Sequence, residues 1–150
     1  MLHLIWIILR WFLFCLVTNV SLTKAVTMEQ FEQSLDMMRN GCTPKFKIPV
    51  EKLDLLRVGN YEEVENVADI KCYTKCVAQL AGTVTRKGDF SIQKALAQVP
   101  IILPKELQDD ATAALSNCKD AQKDYKDSCD RVFYTTKCVR DFKPEVFKFP

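Results

Sequence analysis

Seven cysteines are the residues with the clearest capacity for covalent or metal chemistry in this 150-residue chain. Cys15 lies in an apolar N-terminal stretch, and the other six are spaced C-x29-C-x3-C-x41-C-x10-C-x8-C. Thiolate zinc sites usually contain paired C-x2-C knuckles, and the chain has none, so we expect no metal site and no cofactor. An even number of cysteines in a small secreted chain is typical of a disulfide framework. We therefore expect three disulfides among Cys42, Cys72, Cys76, Cys118, Cys129 and Cys138.

The spacing of Cys72 and Cys76 puts them on one face if this segment is helical. Such a helix would be a hub from which each cysteine reaches a different neighbour. Six cysteines allow fifteen pairings, and spacing alone does not choose among them. Each disulfide should contribute on the order of 3–4 kcal/mol, mainly by restricting the unfolded chain. Three of them would allow a small domain to tolerate an interior cavity.

Histidine and tryptophan occur only in the first twelve residues, as His3, Trp6 and Trp11. If this segment is removed, hydrolases that activate water or serine through a histidine are excluded. Carboxylate chemistry remains open because the chain has 19 acidic residues, but their spacing singles out no pair. We therefore expect no catalytic residues and a protein that is not an enzyme.

The N-terminus has the features of a secretory leader. Residues 2–17 are almost wholly apolar, but the stretch is shorter than the ~20 residues needed to cross a bilayer. Thr23 and Ala25 supply small residues at the −3 and −1 positions of a cleavage site. An uncleaved membrane anchor is the alternative, but Arg10 would be costly in lipid. We expect a signal peptide over residues 1–25, a single domain over residues 26–150, and a secreted, extracellular protein.

Cleavage of this leader also changes the net charge. It removes Arg10 and Lys24, so the basic residues fall from 21 to 19 and equal the 19 acidic residues. A neutral domain with both signs interspersed gives no electrostatic reason to expect nucleic acid or an anionic membrane as a partner.

The segment that follows the leader has the signals of an amphipathic helix. Thr27 and Gln30 are spaced as a capping box, with Thr27 as the N-cap. Asn40 and Gly41 favour a helix end. Between these ends, apolar residues recur at spacings of four and three, which predicts a buried face with Phe31, Leu35 and Met38.

Five further helices are predicted from periodicity and end signals. They are residues 50–58, residues 67–81, a short helix between the N-cap Ser91 and Pro100, residues 105–120 after Pro104, and residues 125–140. No alternating apolar run of four or more residues predicts a strand. We therefore expect an all-α fold with about six short helices in one compact domain.

The C-terminal tail, residues 139–150, is apolar for a chain terminus, since it contains Phe142, Val146, Phe147 and Phe149. A disordered tail would normally be polar. A tail that packs on the surface is one explanation. The other is a segment that folds over or into the core and helps to wall a cavity.

The cysteine pattern, with three residues between the second and third cysteines and eight between the last two, resembles the insect odorant-binding protein family. This resemblance covers the whole chain after residue 25. Several blocks also resemble fly members that carry small alcohols and fatty-acid-derived pheromones: residues 27–31 (TMEQF), 34–37 (SLDM), 44–47 (PKFK), 56–59 (LRVG), 72–77 (CYTKCV), 81–84 (AGTV) and 94–98 (KALAQ).

The resemblance implies a fold of about six helices around a closed apolar pocket, with the disulfides Cys42–Cys76, Cys72–Cys129 and Cys118–Cys138. It implies a carrier that binds small hydrophobic odorants or pheromones, such as alcohols and fatty-acid-derived esters, in sensillum lymph. The implied partners are an odorant receptor or an associated membrane protein, and a weak homodimer is compatible with it. An extracellular interaction or defence protein without a small-molecule ligand is the alternative.

The resemblance also implies a set of pocket residues. It places Thr83 where a pocket hydroxyl bonds a ligand oxygen, although from the residues alone Thr83 is a turn residue after Gly82. Other matching positions are Thr74, Ala81, Val84, Phe90, Ile102 and Val132, of which Phe90 and Val132 would by default be ordinary core residues. Three pocket positions depart from the fly pattern: Ala78 replaces a serine, Val139 an aromatic residue and Phe149 a tryptophan.

Overall fold

The computed structural model describes residues 25–150, apart from the side chain of Val146. Residues 1–24, which hold Cys15 and all but the last residue of the predicted signal peptide, lie outside the described residues. Within residues 25–150, every helix is too short or too polar to span a lipid bilayer.

Six α-helices account for most of the described chain, and the all-α prediction is confirmed. They are α1 (Met28–Cys42), α2 (Val50–Arg57), α3 (Ile70–Leu80), α4 (Ile92–Ile102), α5 (Lys105–Asn117) and α6 (Ser128–Phe142). Two 3-10 turns, Thr43–Lys45 and Pro144–Val146, follow α1 and α6. The only strand-like pairing between residues 25 and 150 is an isolated antiparallel bridge that joins Val84 and Phe90.

Two helix starts follow their predicted caps. The backbone N–H of Gln30 donates to the Thr27 hydroxyl at 3.2 Å, and the Thr27 N–H donates to the Gln30 side chain at 3.0 Å. These reciprocal bonds satisfy two of the donors that a helix start leaves unpaired. Ser91 caps α4 through a single bond, in which its hydroxyl accepts from the Lys94 N–H at 3.3 Å.

The predicted end of α1 is wrong, since the helix continues through Gly41 to Cys42. The residue that closes the helix is Thr43. Its backbone N–H donates to the Arg39 carbonyl, and its hydroxyl donates to the same oxygen at 2.8 Å. The extra turn keeps Cys42 on the helix.

The predicted end of α4 is also wrong, because Pro100 lies inside the helix. Proline lacks the N–H that would bond the carbonyl four residues earlier. Here the loss falls in the last turn, which the Leu103 N–H closes by donating to the Val99 carbonyl at 3.1 Å. The residues up to Ile102 therefore stay helical.

Two helices begin three residues later than predicted. Before α3, Asp69 has a left-handed backbone with φ of 68°, which interrupts helical geometry, so the helix starts at Ile70 rather than residue 67. Before α6, the Asp127 carboxylate accepts from the N–H groups of Cys129 at 2.7 Å and Asp130 at 3.1 Å. This cap sets the start at Ser128 rather than residue 125.

Three disulfides tie the helices together, and all three expected pairs are confirmed: Cys42–Cys76, Cys72–Cys129 and Cys118–Cys138. Cys72 and Cys76 both lie on α3 and reach in different directions, to α6 and α1. The predicted hub helix is therefore α3. The third disulfide joins the end of α5 to α6.

Two buried apolar clusters fill the domain. The first joins α1, α2, α3 and α6 and includes Tyr73, Phe133 and Phe149 of the tail. The second joins α3, α4, α5 and α6 and includes Phe90 and Val99. Residues of both clusters also line an internal cavity, so the interior is not solid.

Candidate functional site

A cavity of about 220 Å³ lies between α1, α3, α4, α5, α6 and the C-terminal tail. Its wall is mainly aliphatic and aromatic. For scale, an engineered apolar cavity of about 150 Å³ holds one benzene, whereas drug-sized ligands occupy pockets of roughly 300 Å³ or more. The size and the lining suit a small hydrophobic molecule.

Helix α4 supplies one wall through a single face. Ala95, Gln98, Val99 and Ile102 all line the cavity, at the spacing that places side chains on one side of a helix. Helix α5 does the same with Leu107, Ala111 and Ala114, together with Asp110 and Leu115. The two helices are joined by Leu103 and Pro104 alone, so their cavity faces are held close together.

The C-terminal tail forms another part of the wall. Phe147, Phe149 and Pro150 line the cavity, and Phe149 is buried at 6% exposure. The Tyr73 O–H donates to the Pro150 carbonyl at 3.4 Å, and Lys148 pairs with Glu32 of α1. The tail therefore folds back onto the helices instead of extending into solvent.

Thr83 is held by the turn that closes α3. Gly82 adopts a φ of 72°, a left-handed conformation that favours glycine, and the chain then reverses. The Thr83 N–H donates to the Ala78 carbonyl at 3.0 Å, and its hydroxyl donates to the same oxygen at 2.9 Å. Its carbonyl accepts from the Ser91 N–H at 2.8 Å. These three bonds fix a buried hydroxyl oxygen, with free lone pairs, in the cavity wall.

The charged wall residues are neutralised in pairs. Lys143, which directly follows α6, forms an ion pair with Asp110 of α5 at 3.1 Å, and both residues line the cavity. The hydrogen bond with Asp110 raises the pKa of Lys143 above its ordinary value, which keeps the ammonium group protonated. The pair links the end of α6 to α5 and leaves no net charge at this part of the wall.

Seven of the ten predicted pocket residues lie on the cavity: Thr83, Ala78, Ala81, Phe90, Ile102, Val139 and Phe149. The other three lie behind the wall. The Thr74 hydroxyl is fully buried and donates to the Ile70 carbonyl at 2.9 Å. Val84 and Val132 belong to the buried cluster that also contains Ala78 and Phe90, and they support the wall without lining it. Contact of any of the ten with a ligand stays a prediction.

Several wall residues were not predicted from the sequence. On α1 these are Phe31, Leu35 and Met38, whose spacing predicted burial but not which interior space they face. On α5 the apolar periodicity was a weaker indication of a buried face, because alanines dominate that face. Gln98 and Thr136 had no signal, since a polar residue on a helix is normally expected to face solvent.

Within residues 25–150, no cluster of three or more His, Cys, Asp or Glu side chains could hold a metal ion. Asp110 is the one carboxylate side chain in the cavity wall, and it is paired with Lys143. The arrangement can bind and orient a small molecule.

Comparison with known proteins agrees with this geometry. Residues 24–141 match the PBP/GOBP family. General odorant-binding protein 72 of Anopheles gambiae is 32% identical over 126 residues, which cover 84% of this chain and 100% of the relative. General odorant-binding protein 19a of Drosophila melanogaster is 31% identical over 128 residues, which cover 83% of this chain and 84% of the relative.

Solved structures show the same fold. Odorant binding protein 4 of Chrysopa pallens superposes with a TM-score of 0.71 at 25% identity, over 83% of this chain and 99% of that one. Odorant binding protein 5 of Apis mellifera superposes with a TM-score of 0.73 at 27% identity, over 84% of this chain and 99% of that one. With its six helices, three disulfides and apolar cavity, the chain belongs to the PBP/GOBP family of odorant-binding proteins, which are carriers and not enzymes.

Proposed function

We propose that this protein is a secreted carrier that takes small alcohols or fatty-acid-derived esters into its cavity and delivers them to sensory receptors. The observation that carries the proposal is the apolar cavity of about 220 Å³ with Thr83 in its wall. An interaction or defence protein without a small-molecule ligand would be expected to have a solid core.

The energetics of the cavity favour a short hydrocarbon chain. Each CH₂ group removed from water contributes roughly 0.8 kcal/mol, so a chain of several carbons gains several kcal/mol before ordering costs. By comparison with benzene in a smaller cavity, the available volume suits ligands on the order of 6 to 10 carbon atoms. A ligand oxygen buried without a hydrogen-bond partner would cost about 1–3 kcal/mol. The Thr83 hydroxyl supplies such a partner.

Secretion is supported by the cysteines. All six cysteines in the described residues are paired, and disulfides persist mainly in oxidising compartments. The predicted signal peptide over residues 1–25 fits the same compartment. Delivery to an odorant receptor or an associated membrane protein completes the proposal.

The decisive experiment is displacement of a fluorescent apolar probe by 1-alkanols and methyl esters of increasing length. A matched pair of variants locates the site. Ala114 lines the cavity and is 1% exposed, whereas its neighbour Ala113 faces solvent. Ala114→Leu should fill the cavity and weaken binding by roughly fourfold for each methylene that no longer fits. Ala113→Leu should bind as the unmodified protein does.

Two results would overturn this proposal. One is that the oxidised, folded protein binds neither the probe nor any alkanol or ester. The other is that Ala113→Leu and Ala114→Leu affect binding equally, because the ligand would then not occupy the cavity.

A further inference from the structure

Tyr125, which lies just before α6, stacks on Tyr134 of that helix, and neither residue lines the cavity. The ring centroids are 4.1 Å apart and the ring planes differ by 8°, so the two rings lie face to face. Aromatic pairs in proteins usually have centroids roughly 4.5–7 Å apart, in offset or edge-on arrangements. The faces of these two rings therefore overlap more closely than is usual.

The other two tyrosines of the chain have different surroundings. Tyr61 and Tyr73 are fully buried, and their aromatic neighbours among the described residues are phenylalanines. Tyr125 and Tyr134 are only half-buried, so their ring edges are accessible to an oxidant in solution. Of the four tyrosines in the chain, these two alone combine contact with another tyrosine and access to solvent.

Lys71 of α3 holds the Tyr134 ring in this position. Its ammonium group donates a hydrogen bond to the Tyr134 hydroxyl oxygen at 3.3 Å and forms an ion pair with Asp130 at 2.9 Å. The same Nζ atom lies 4.8 Å from the centroid of the Tyr134 ring. Because the hydroxyl accepts the bond from Lys71, its own proton is not used in that bond and can leave with an electron.

The surroundings also lack the side chains that most readily reduce a tyrosyl radical, which are indoles and free thiols. Both tryptophans of the chain, Trp6 and Trp11, precede residue 25. All six cysteines between residues 25 and 150 form disulfides. We therefore expect a radical formed at either ring to stay on the stacked pair.

We propose that Tyr125 and Tyr134 form an oxidative modification site, at which a peroxidase and hydrogen peroxide join the two rings as dityrosine. Each phenol gives up one electron and its hydroxyl proton, and one molecule of hydrogen peroxide takes up both electrons and both protons to become two water molecules. The two radicals then couple through one ring carbon beside each hydroxyl. The hydrogens on the coupled carbons finally move to the oxygens, which makes both rings aromatic again.

Face-to-face stacking suits the coupling step, because the unpaired electron occupies orbitals perpendicular to the ring plane. In the stacked pair these orbitals point from one ring to the other. In an edge-on pair, such as Tyr61 with Phe133, they do not. The product would join α6 to the segment before it through a carbon–carbon bond. Unlike the Cys72–Cys129 disulfide at the start of the same helix, this bond would persist under reducing conditions.

The test treats the oxidised, folded protein with a plant peroxidase and hydrogen peroxide. Dityrosine is followed by its blue fluorescence in the monomer band of a reducing, denaturing gel. After reduction and digestion with trypsin, mass spectrometry should find residues 124–126 joined to residues 132–137 with the loss of two hydrogen atoms.

Four variants locate the cross-link. Tyr125→Phe and Tyr134→Phe each remove one phenol of the pair and should abolish the fluorescence of the monomer. The controls Tyr61→Phe and Tyr73→Phe remove buried phenols and should retain it. Circular dichroism and thiol counting establish that each variant is folded with three disulfides.

The inference fails if the monomer contains no dityrosine under conditions that couple free tyrosine. It also fails if dityrosine forms only in dimers, because the reacting rings would then belong to different molecules. Equal losses of fluorescence in Tyr61→Phe and Tyr125→Phe would contradict it as well. Since neither Tyr125 nor Tyr134 lines the cavity, these outcomes leave the proposed carrier function untouched.

Discussion

The guanidinium carbon of Arg140 lies 5.2 Å from the centroid of the Tyr61 ring. The ring is fully buried and packs edge-on against Phe133 and Phe147. Its hydroxyl, however, has no hydrogen-bond partner among the described residues. Burial raises the pKa of Tyr61 well above its ordinary value, so the phenol stays uncharged. Tyr61 therefore stabilises the domain through its ring and not through its hydroxyl.

Removal of this hydroxyl should not destabilise the protein. We expect Tyr61→Phe to raise the free energy of unfolding by about 1 kcal/mol, because a buried unpaired polar group is removed. Tyr73→Phe is the matched control. Its hydroxyl bonds the Pro150 carbonyl, so its loss should cost about 0.5–1.5 kcal/mol. Urea unfolding of the oxidised proteins measures both changes. A larger loss of unfolding free energy in Tyr61→Phe than in Tyr73→Phe would contradict the prediction.

Glu62 should make stability depend on acid pH. Hydrogen bonds from Lys137 and Arg140 lower the pKa of Glu62 from 4.5 to about 2. Because the pKa is lower in the folded state, the stabilisation is present above the unfolded value and is lost as the pH falls towards 2.

The Glu62 side chain is 58% exposed, so solvent weakens this effect. We expect Glu62→Gln to lower the free energy of unfolding by less than about 1 kcal/mol at pH 7 and to have a smaller effect at pH 2, where the carboxyl of the folded protein is about half protonated. Urea unfolding between pH 7 and pH 2 measures the difference in the free energy of unfolding between this variant and the unmodified protein. Glu63→Gln, which breaks no ion pair among the described residues, serves as the control. A difference that stays constant over this range would refute the assignment.

Phe149 should anchor the tail and limit the cavity. We expect Phe149→Ala to lower the free energy of unfolding by about 2–4 kcal/mol, because a buried ring is lost, and to shift the preferred alkanol to a longer chain. Phe142→Ala is the control, since Phe142 is 40% exposed, and its effect should be below about 1 kcal/mol. Unfolding curves and the alkanol series test both effects, and equal losses in the two variants would argue against an anchored tail.

Ligand affinity should be insensitive to pH near neutrality. Residues 25–150 contain no histidine, and the two wall lysines, Lys143 and Lys148, pair with Asp110 and Glu32. Carboxylates ordinarily titrate near pH 4. We expect affinity to hold between pH 7 and 6 and to fall only below about pH 5. Titrations at pH 7, 6, 5 and 4 measure this, and a sharp drop between pH 7 and 6 would exclude a carboxylate mechanism.

The number of helices could be predicted because it follows from regular spacing along the chain. The disulfide pairs came from the family resemblance, because spacing alone leaves fifteen pairings open. Helix boundaries were less predictable, since they depend on local geometry. The left-handed conformation of Asp69 delays α3, and the Asp127 cap delays α6. Pro100 is tolerated because the bond it removes falls in the last turn of α4.

Pocket residues were predictable to the extent that the family resemblance aligned them. Periodicity identifies a buried face but does not distinguish a face that packs against other side chains from one that borders a cavity. Phe31 and Val132 illustrate the difficulty, because both are buried apolar helix residues and only Phe31 lines the cavity. Gln98 lines the cavity but could not be found from periodicity, since a polar helix residue is normally expected to face solvent.

Helix α3 carries Cys72 and Cys76 and also contributes Val77 and Ala78 to the cavity wall. A ligand that depends on the position of α3 would link binding to the oxidation state of these cysteines. A ligand that binds only the oxidised form stabilises it by about 2.7 kcal/mol at a concentration of 100 Kd. An occupied carrier would resist reduction to that extent, and a reducing environment would in turn favour release.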